Sequence, residues 1–249
     1  MPLREHLREA RRRFLLAVAG VGAAAVAGWL LYEPIFAALQ APIDAATEAG
    51  RTAALNFAGV ATSFDIRLRV SVFAGVILAS PWWLYQAWAF VAPGLTPVER
   101  RRALGFFAAG VPLFAAGAAV AWFFLPHAVA LLTEFTPAGS VNFINAHVYL
   151  GFVMQLILAF GIAFLLPLAM VALTSLHLVR ARTWARGWRW AVLGVFTFAA
   201  IATPTPDAIS MILLALPICG LYFGALGICV VLDRRAVRGT EVATDPAAS

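Results

Sequence analysis

Apolar residues in this chain come in long runs, and charge is confined to the short stretches between them. Uncharged stretches at 14–32, 70–91, 103–126 and 148–176 are each long enough to cross a hydrocarbon core of about 30 Å with roughly 20 helical residues. A further run from 190 to 232, "WAVLGVFTFAAIATPTPDAISMILLALPICGLYFGALGICVVL", is interrupted at Pro204, Pro206 and Asp207. Two prolines so close together cannot continue a helix. The run therefore predicts a hairpin of two short helices and a total of six crossings. The first of the two, Trp190 to Thr203, reaches only roughly 21 Å at about 1.5 Å per residue, so the membrane must thin there or the turn must lie below the interface.

Polar segments set the orientation. With six crossings, the N-terminus, the loops near 100 and 183 and the C-terminus share one side and carry fifteen arginines, against three (Arg51, Arg67 and Arg69) on the other. The positive-inside rule then puts both termini in the cytoplasm. No small-residue cleavage site follows the first apolar run, so 14–32 reads as a retained helix. The expected organisation is a cytoplasmic amphipathic segment at 1–13, a membrane domain at 14–232 and a cytoplasmic, disordered tail at 233–249. In the first outer loop, "PIFAALQAPIDAATEA" puts Ile35, Phe36, Leu39 and Ile43 on one helical side and Asp44 and Glu48 on another. That pattern predicts a short interfacial helix and an outer cap.

Composition agrees with the pattern: 63% hydrophobic residues and 12% charged, with a mean hydropathy of +0.88, describe an all-α polytopic membrane protein. The net charge of +6 does not point to nucleic acid, because the arginines cluster beside apolar runs and form no continuous face. Cys219 and Cys229 lie roughly 15 Å apart along one helix, beyond disulfide reach. No HExxH, GxSxG, phosphate-binding loop or CxxC occurs, so no enzyme, metal or cofactor is expected. His6, His127, His147 and His177 are scattered over loops and helix ends. The main polar side chains deep in the crossings are Gln86 and Gln155, each suited to joining helices; Gln155 also suits a polar groove. Gly220 and Gly224 have GxxxG spacing, which reads as helix packing. Within "PGLTPVERRRAL", Glu99 stands before Arg100, Arg101 and Arg102, an acid that weakens the orientation signal and so needs another purpose.

"HLREARRRF" at 6–14, "ILASPWWLYQAWAFVAPGLTPVERR" at 77–101, "FFLPHAVALL" at 123–132, "LAFGIAFLLPL" at 158–168 and "TPTPDAISMILLALPICGLYF" at 203–223 together resemble TatC, the polytopic subunit of the twin-arginine protein translocase. The resemblance runs from about residue 6 to 232 and implies the same six crossings with cytoplasmic termini, in the inner membrane of a bacterium. It implies a receptor for signal peptides that carry paired arginines on folded cargo, with Glu9 and Glu99 as the recognition acids. Two carboxylates on one face can each take a guanidinium as a bidentate pair, a geometry lysine reproduces poorly. The competing reading pairs Glu9 with Arg12 or Arg13 one turn on, and Glu99 with Arg102 or Arg101.

Other positions follow from the same resemblance. Phe90 falls where the family has an aromatic beside the recognition site, Arg11 matches the family's N-terminal arginine, and Arg11 and Arg101 join Glu9, Glu99 and Phe90 in the signal-peptide-binding face that the resemblance implies. Pro42 and Phe64 shape the first outer loop, Pro81 kinks the second crossing, and Asp207 stands in the outer turn, where it can cap the sixth helix. Leu165 and Phe223 stand where many relatives have glutamate, which leaves Gln155 as a partial substitute for docking partner helices. The implied partners are TatA-like and TatB-like single-helix proteins, with several copies per complex and transport driven by the proton-motive force. A small-solute secondary transporter with a midplane site is the alternative, and a membrane enzyme a remote third.

Overall fold

The computed structural model describes residues 3–48, 53–57, 59, 61–94, 96–134, 142–176, 178–202 and 208–243. Helix α1, Leu3–Leu30, runs without a break from the arginine-rich segment through the first apolar run. Its two ends define a near face, where the chain begins, and a far face. After a turn at Leu31 comes α2, Tyr32–Glu48, the helix the apolar pattern predicts. Leu39 and Ile43 are buried, and Ile35 and Phe36 pack on the same core, while Asp44 is exposed and accepts a hydrogen bond from Gln40. Pro42 lies buried within α2 without ending it.

The second apolar run forms two helices, α3, Thr62–Leu78, and α4, Ser80–Val91, bent by 57° at the junction. Pro81, at the start of α4, lacks the N–H that would continue α3, so the expected kink is a break. A 3-10 turn at Ala92–Gly94 leads into α5, Pro97–Glu134. Helix α6, Ala146–Ser175, is capped by Asn145, whose side chain accepts from the N–H groups of His147 and Val148. Short α7, Ala181–Arg186, α8, Trp188–Ala202, and α9, Ala208–Ala243, follow; α9 has 36 residues and is not the short helix that the proline break predicts, because Pro217 lies within it without ending it. Among the described residues, four helices are long and apolar enough to cross a membrane, five if α3 and α4 count as one broken span; α8 is a shorter apolar helix. Asp207 lies outside the described residues.

One element departs from an all-helical reading. Strands β1, Ala53–Asn56, and β2, Asn142–Asn145, pair in parallel, tying the segment after α2 to the segment before α6. Alongside, the Asp65 carboxylate pairs with Arg69 at 2.9 Å and with His147 at 3.0 Å. The helices pack neighbour to neighbour: α1 on α3 and α4, α4 on α5, α5 on α6, α6 on α9, and α9 on α8. The main core lies along α6, with contributions from α2, α3, α5, α8 and α9. A smaller cluster of Met170, Ala181, Tyr222, Ala225 and Cys229 fastens α7 to the near-face ends of α6 and α9. There the Asp233 carboxylate accepts from the Ala181 N–H at 2.7 Å, and the Tyr222 hydroxyl donates to the Trp184 carbonyl. Both cysteines are free.

Candidate functional site: the near face where α1 meets α4

Helix α1 lies close along α3 and α4 because small residues let the backbones approach. A Cβ on Gly75 would stand 2.8 Å from the Val21 carbonyl oxygen and the Ala25 nitrogen, and one on Gly20 would collide with the Trp82 indole. Trp82 in turn donates its indole N–H to the Leu16 carbonyl at 2.9 Å. This contact continues to the near face, where the polar residues of α1 meet the end of α4.

There the Arg13 guanidinium donates from Nε to Glu9 Oε1 at 2.7 Å and from Nη1 to Gln86 Oε1 at 3.1 Å. Glu9 is one turn before Arg13, the spacing at which helix side chains meet, so of the two intrahelical partners open to Glu9 the structure selects Arg13. Gln86 is only 3% exposed, and a buried amide oxygen needs a donor. Arg13 supplies it, so Gln86 joins α1 to α4 as its depth predicts. One turn further along α4, Phe90 is half-buried under the His6 ring, with centroids 4.6 Å apart. Glu9 and Phe90, far apart in sequence, thus border one patch. Arg11 is exposed.

Around α4 an aromatic group forms from Tyr85, Trp88 and Phe107, with the Arg100 guanidinium 5.8 Å from the Trp88 ring centre. The Trp88 indole N–H is buried without an acceptor among the described residues. Glu99 and Arg101 lie in the first turns of α5; their side chains lie outside the described residues. Sequence reasoning has Arg13 as one of two options beside Glu9 and misses His6 and Trp88 as members of this patch. The periodicity of α1 puts His6, Glu9 and Arg13 on one stripe at intervals of three and four, which is the signal that could have found His6.

The remaining candidates lie elsewhere. Phe64 is exposed on α3 at the far face, its ring 6.1 Å from Trp29. Gln155 is exposed on α6 and makes no hydrogen bond among the described residues. Leu165 lines an apolar groove of 580 Å³ between α6, α8 and α9, with Trp184, Phe198 and Tyr222. Phe223 is exposed beside Trp188. Gly220 and Gly224 are exposed along an apolar groove of 450 Å³ between α5, α6 and α9, and a Cβ on either would meet nothing within 4 Å.

The family model for TatC, the Sec-independent protein translocase protein, matches residues 5–217. A Sec-independent protein translocase protein TatC from Xylanimonas cellulosilytica is 54% identical over 244 residues, covering 98% of this chain and 88% of that one. The Rothia mucilaginosa protein of the same name is 39% identical, covering 96% and 82%. A crystal structure of the twin-arginine translocase receptor TatC superposes with a TM-score of 0.83 at 28% identity, covering 92% of this chain and 99% of that one. A second, in the detergent DDM, gives 0.81 at 27% identity, covering 90% and 99%.

Proposed function

Because the chain belongs to the TatC family and is a receptor subunit of the twin-arginine translocase, we propose that it captures the paired arginines of a signal peptide on the near face, through Glu9 and Glu99. The observation that carries this reading is the guanidinium already seated on Glu9. The carboxylate accepts an arginine donor in a partly open setting, and Arg13 keeps a second acceptor, Gln86, when a cargo arginine takes its place. The exchange replaces one guanidinium on Glu9 with another, and what favours it is that Arg13 keeps Gln86 while the cargo's arginine pair engages two acids at once. Phe90, under His6, is suited to the apolar part of the peptide, and Arg11 and Arg101 add near-face positive charge that holds the loop in the cytoplasm.

The wider reading has six crossings, with the α3–α4 pair and the short α8 each counted as one, and both termini in the cytoplasm of a bacterium. TatA-like and TatB-like helices dock on the membrane-facing surface. Gln155 supports that docking: it lies roughly 14 Å into α6 from its far-face end with its amide unsatisfied, and an exposed amide at that depth favours a partner that hydrogen-bonds it. Pro42, Phe64 and Pro81 hold the cap and the break in the second crossing.

Export of a folded cargo with an arginine pair, and of the same cargo with a lysine pair, tests the receptor face. Glu99→Gln and Glu9→Gln are each expected to lower export of the arginine cargo about ten- to hundredfold in binding and to erase most of the discrimination between the two. Normal export with full arginine selectivity at matched abundance overturns the assignment.

A further inference from the structure

The far face holds a cation that neither orientation nor an ion pair explains. Arginines on that side are few, and Arg69 is accounted for by Asp65. Arg67 has no carboxylate within salt-bridge reach among the described residues, and its buried Nε has no hydrogen-bond acceptor. Its guanidinium is stacked instead, 4.6 Å from the centre of the Trp29 ring and 5.0 Å from that of Tyr32. Stacking engages the faces of the guanidinium and leaves N–H groups in its plane, a rigid fork matched to phosphate oxygens.

Further along α3 from Arg67, toward the middle of the helix, lies an apolar groove of 550 Å³ lined by Leu31, Ile35, Ala74, Leu78, Ala119 and Trp122, among others. The helical repeat places the two features in line. Arg67, Ala74 and Leu78 are seven and four residues apart, which puts them on one stripe of α3. The groove therefore has a cation about two turns of α3 beyond it toward the far face and apolar walls of its own. Leu31, one of its lining residues, stands between Trp29 and Tyr32 in sequence, amphipathic rings of the kind that sit at the interface.

We propose that this is a binding site for one anionic phospholipid of the far-face leaflet, its phosphodiester on the Arg67 guanidinium and an acyl chain in the groove between α2, α3 and α5. Charge at one end and apolar wall along the rest match the polarity of a lipid in its leaflet. The lipid then bridges the α1–α2 turn to α3 and steadies the cap on the transmembrane helices.

The full chain purified in a neutral detergent allows the test. Phosphatidylglycerol is added and its retention followed by native mass spectrometry, together with the unfolding midpoint from tryptophan fluorescence. Phosphatidylcholine and inorganic phosphate are the comparisons. One phosphatidylglycerol per chain is expected to persist and to raise the midpoint, with phosphatidylcholine retained less and inorganic phosphate without effect. Arg67→Gln should cut retention about tenfold, and Ala119→Trp, which fills the groove and leaves Arg67 in place, should abolish it. If Arg67→Gln lowers the starting midpoint but retains the lipid, the arginine is only an aromatic clamp and the proposal fails. Retention by Ala119→Trp, or an equal shift with inorganic phosphate, overturns it as well.

Discussion

Arg13 holds two unlike acceptors at once, a carboxylate on its own helix and a buried amide on α4, and this double hold sets how readily Glu9 is released. Removing the amide should tighten the grip of Arg13 on Glu9. Gln86→Leu is therefore expected to weaken binding of a twin-arginine peptide to the purified protein, by about tenfold at most. Gln86→Glu, which offers Arg13 a charged alternative, should restore or strengthen it; fluorescence anisotropy with a labelled peptide reads both. The Glu9–Arg13 contact was legible as one of two options because it depends on local helical spacing alone. The Gln86 partner lies 73 residues away, and no periodicity within α1 specifies it. The stacking of Arg67 escaped notice for the same reason: an arginine before an apolar run reads as an orientation signal, whereas its partners on α1 and α2 come from packing.

At the level of elements, the apolar pattern located the helices and misjudged their ends. An uncharged window starts the second crossing at residue 70, because Asp65, Arg67 and Arg69 fall outside it. Helix α3 begins at Thr62, since charged side chains at a helix end can remain at the interface while the backbone is already helical. The bend at Pro81 was visible because proline lacks an N–H. The strands were not, because four-residue segments paired across distant parts of the chain leave no repeat in either one. Packing of α1 on α3 depends on the empty space at Gly75. Gly75→Val forces a branched side chain against the backbone of α1 and is expected to destabilise the protein by about 1–3 kcal/mol, seen as a lower thermal midpoint in detergent. Gly151→Ala, at a position where a Cβ meets nothing within 4 Å, should be neutral or slightly stabilising.

Across the whole molecule the helices form a row from α1 through α6 to α9 and α8, so outward-facing surface remains on α6 and α9, including Gln155 and the Gly220–Gly224 face. Gln155→Leu is expected to reduce co-purification of a tagged partner helix while crosslinking of the signal peptide persists; unchanged co-purification assigns Gln155 no part in docking. The orientation is checked in a background without Cys219 and Cys229. A cysteine at Ala54 should react with an impermeant reagent added outside intact cells, and one at Thr183 should not. The arginines of the sequence carry an expectation of orientation, but nothing in it signals that the two far-face segments are sewn together. That seam has a consequence for how the protein is made. A nascent chain delivers β1 once α1 and α2 have emerged, but the strand that completes it, β2, follows only after α3, α4 and α5. Throughout that interval β1 is an open edge, and the cap closes late in synthesis, immediately before α6 starts at Ala146. Chains arrested at residue 141 should consequently be nicked by protease between α2 and α3, whereas chains arrested at residue 202 should resist.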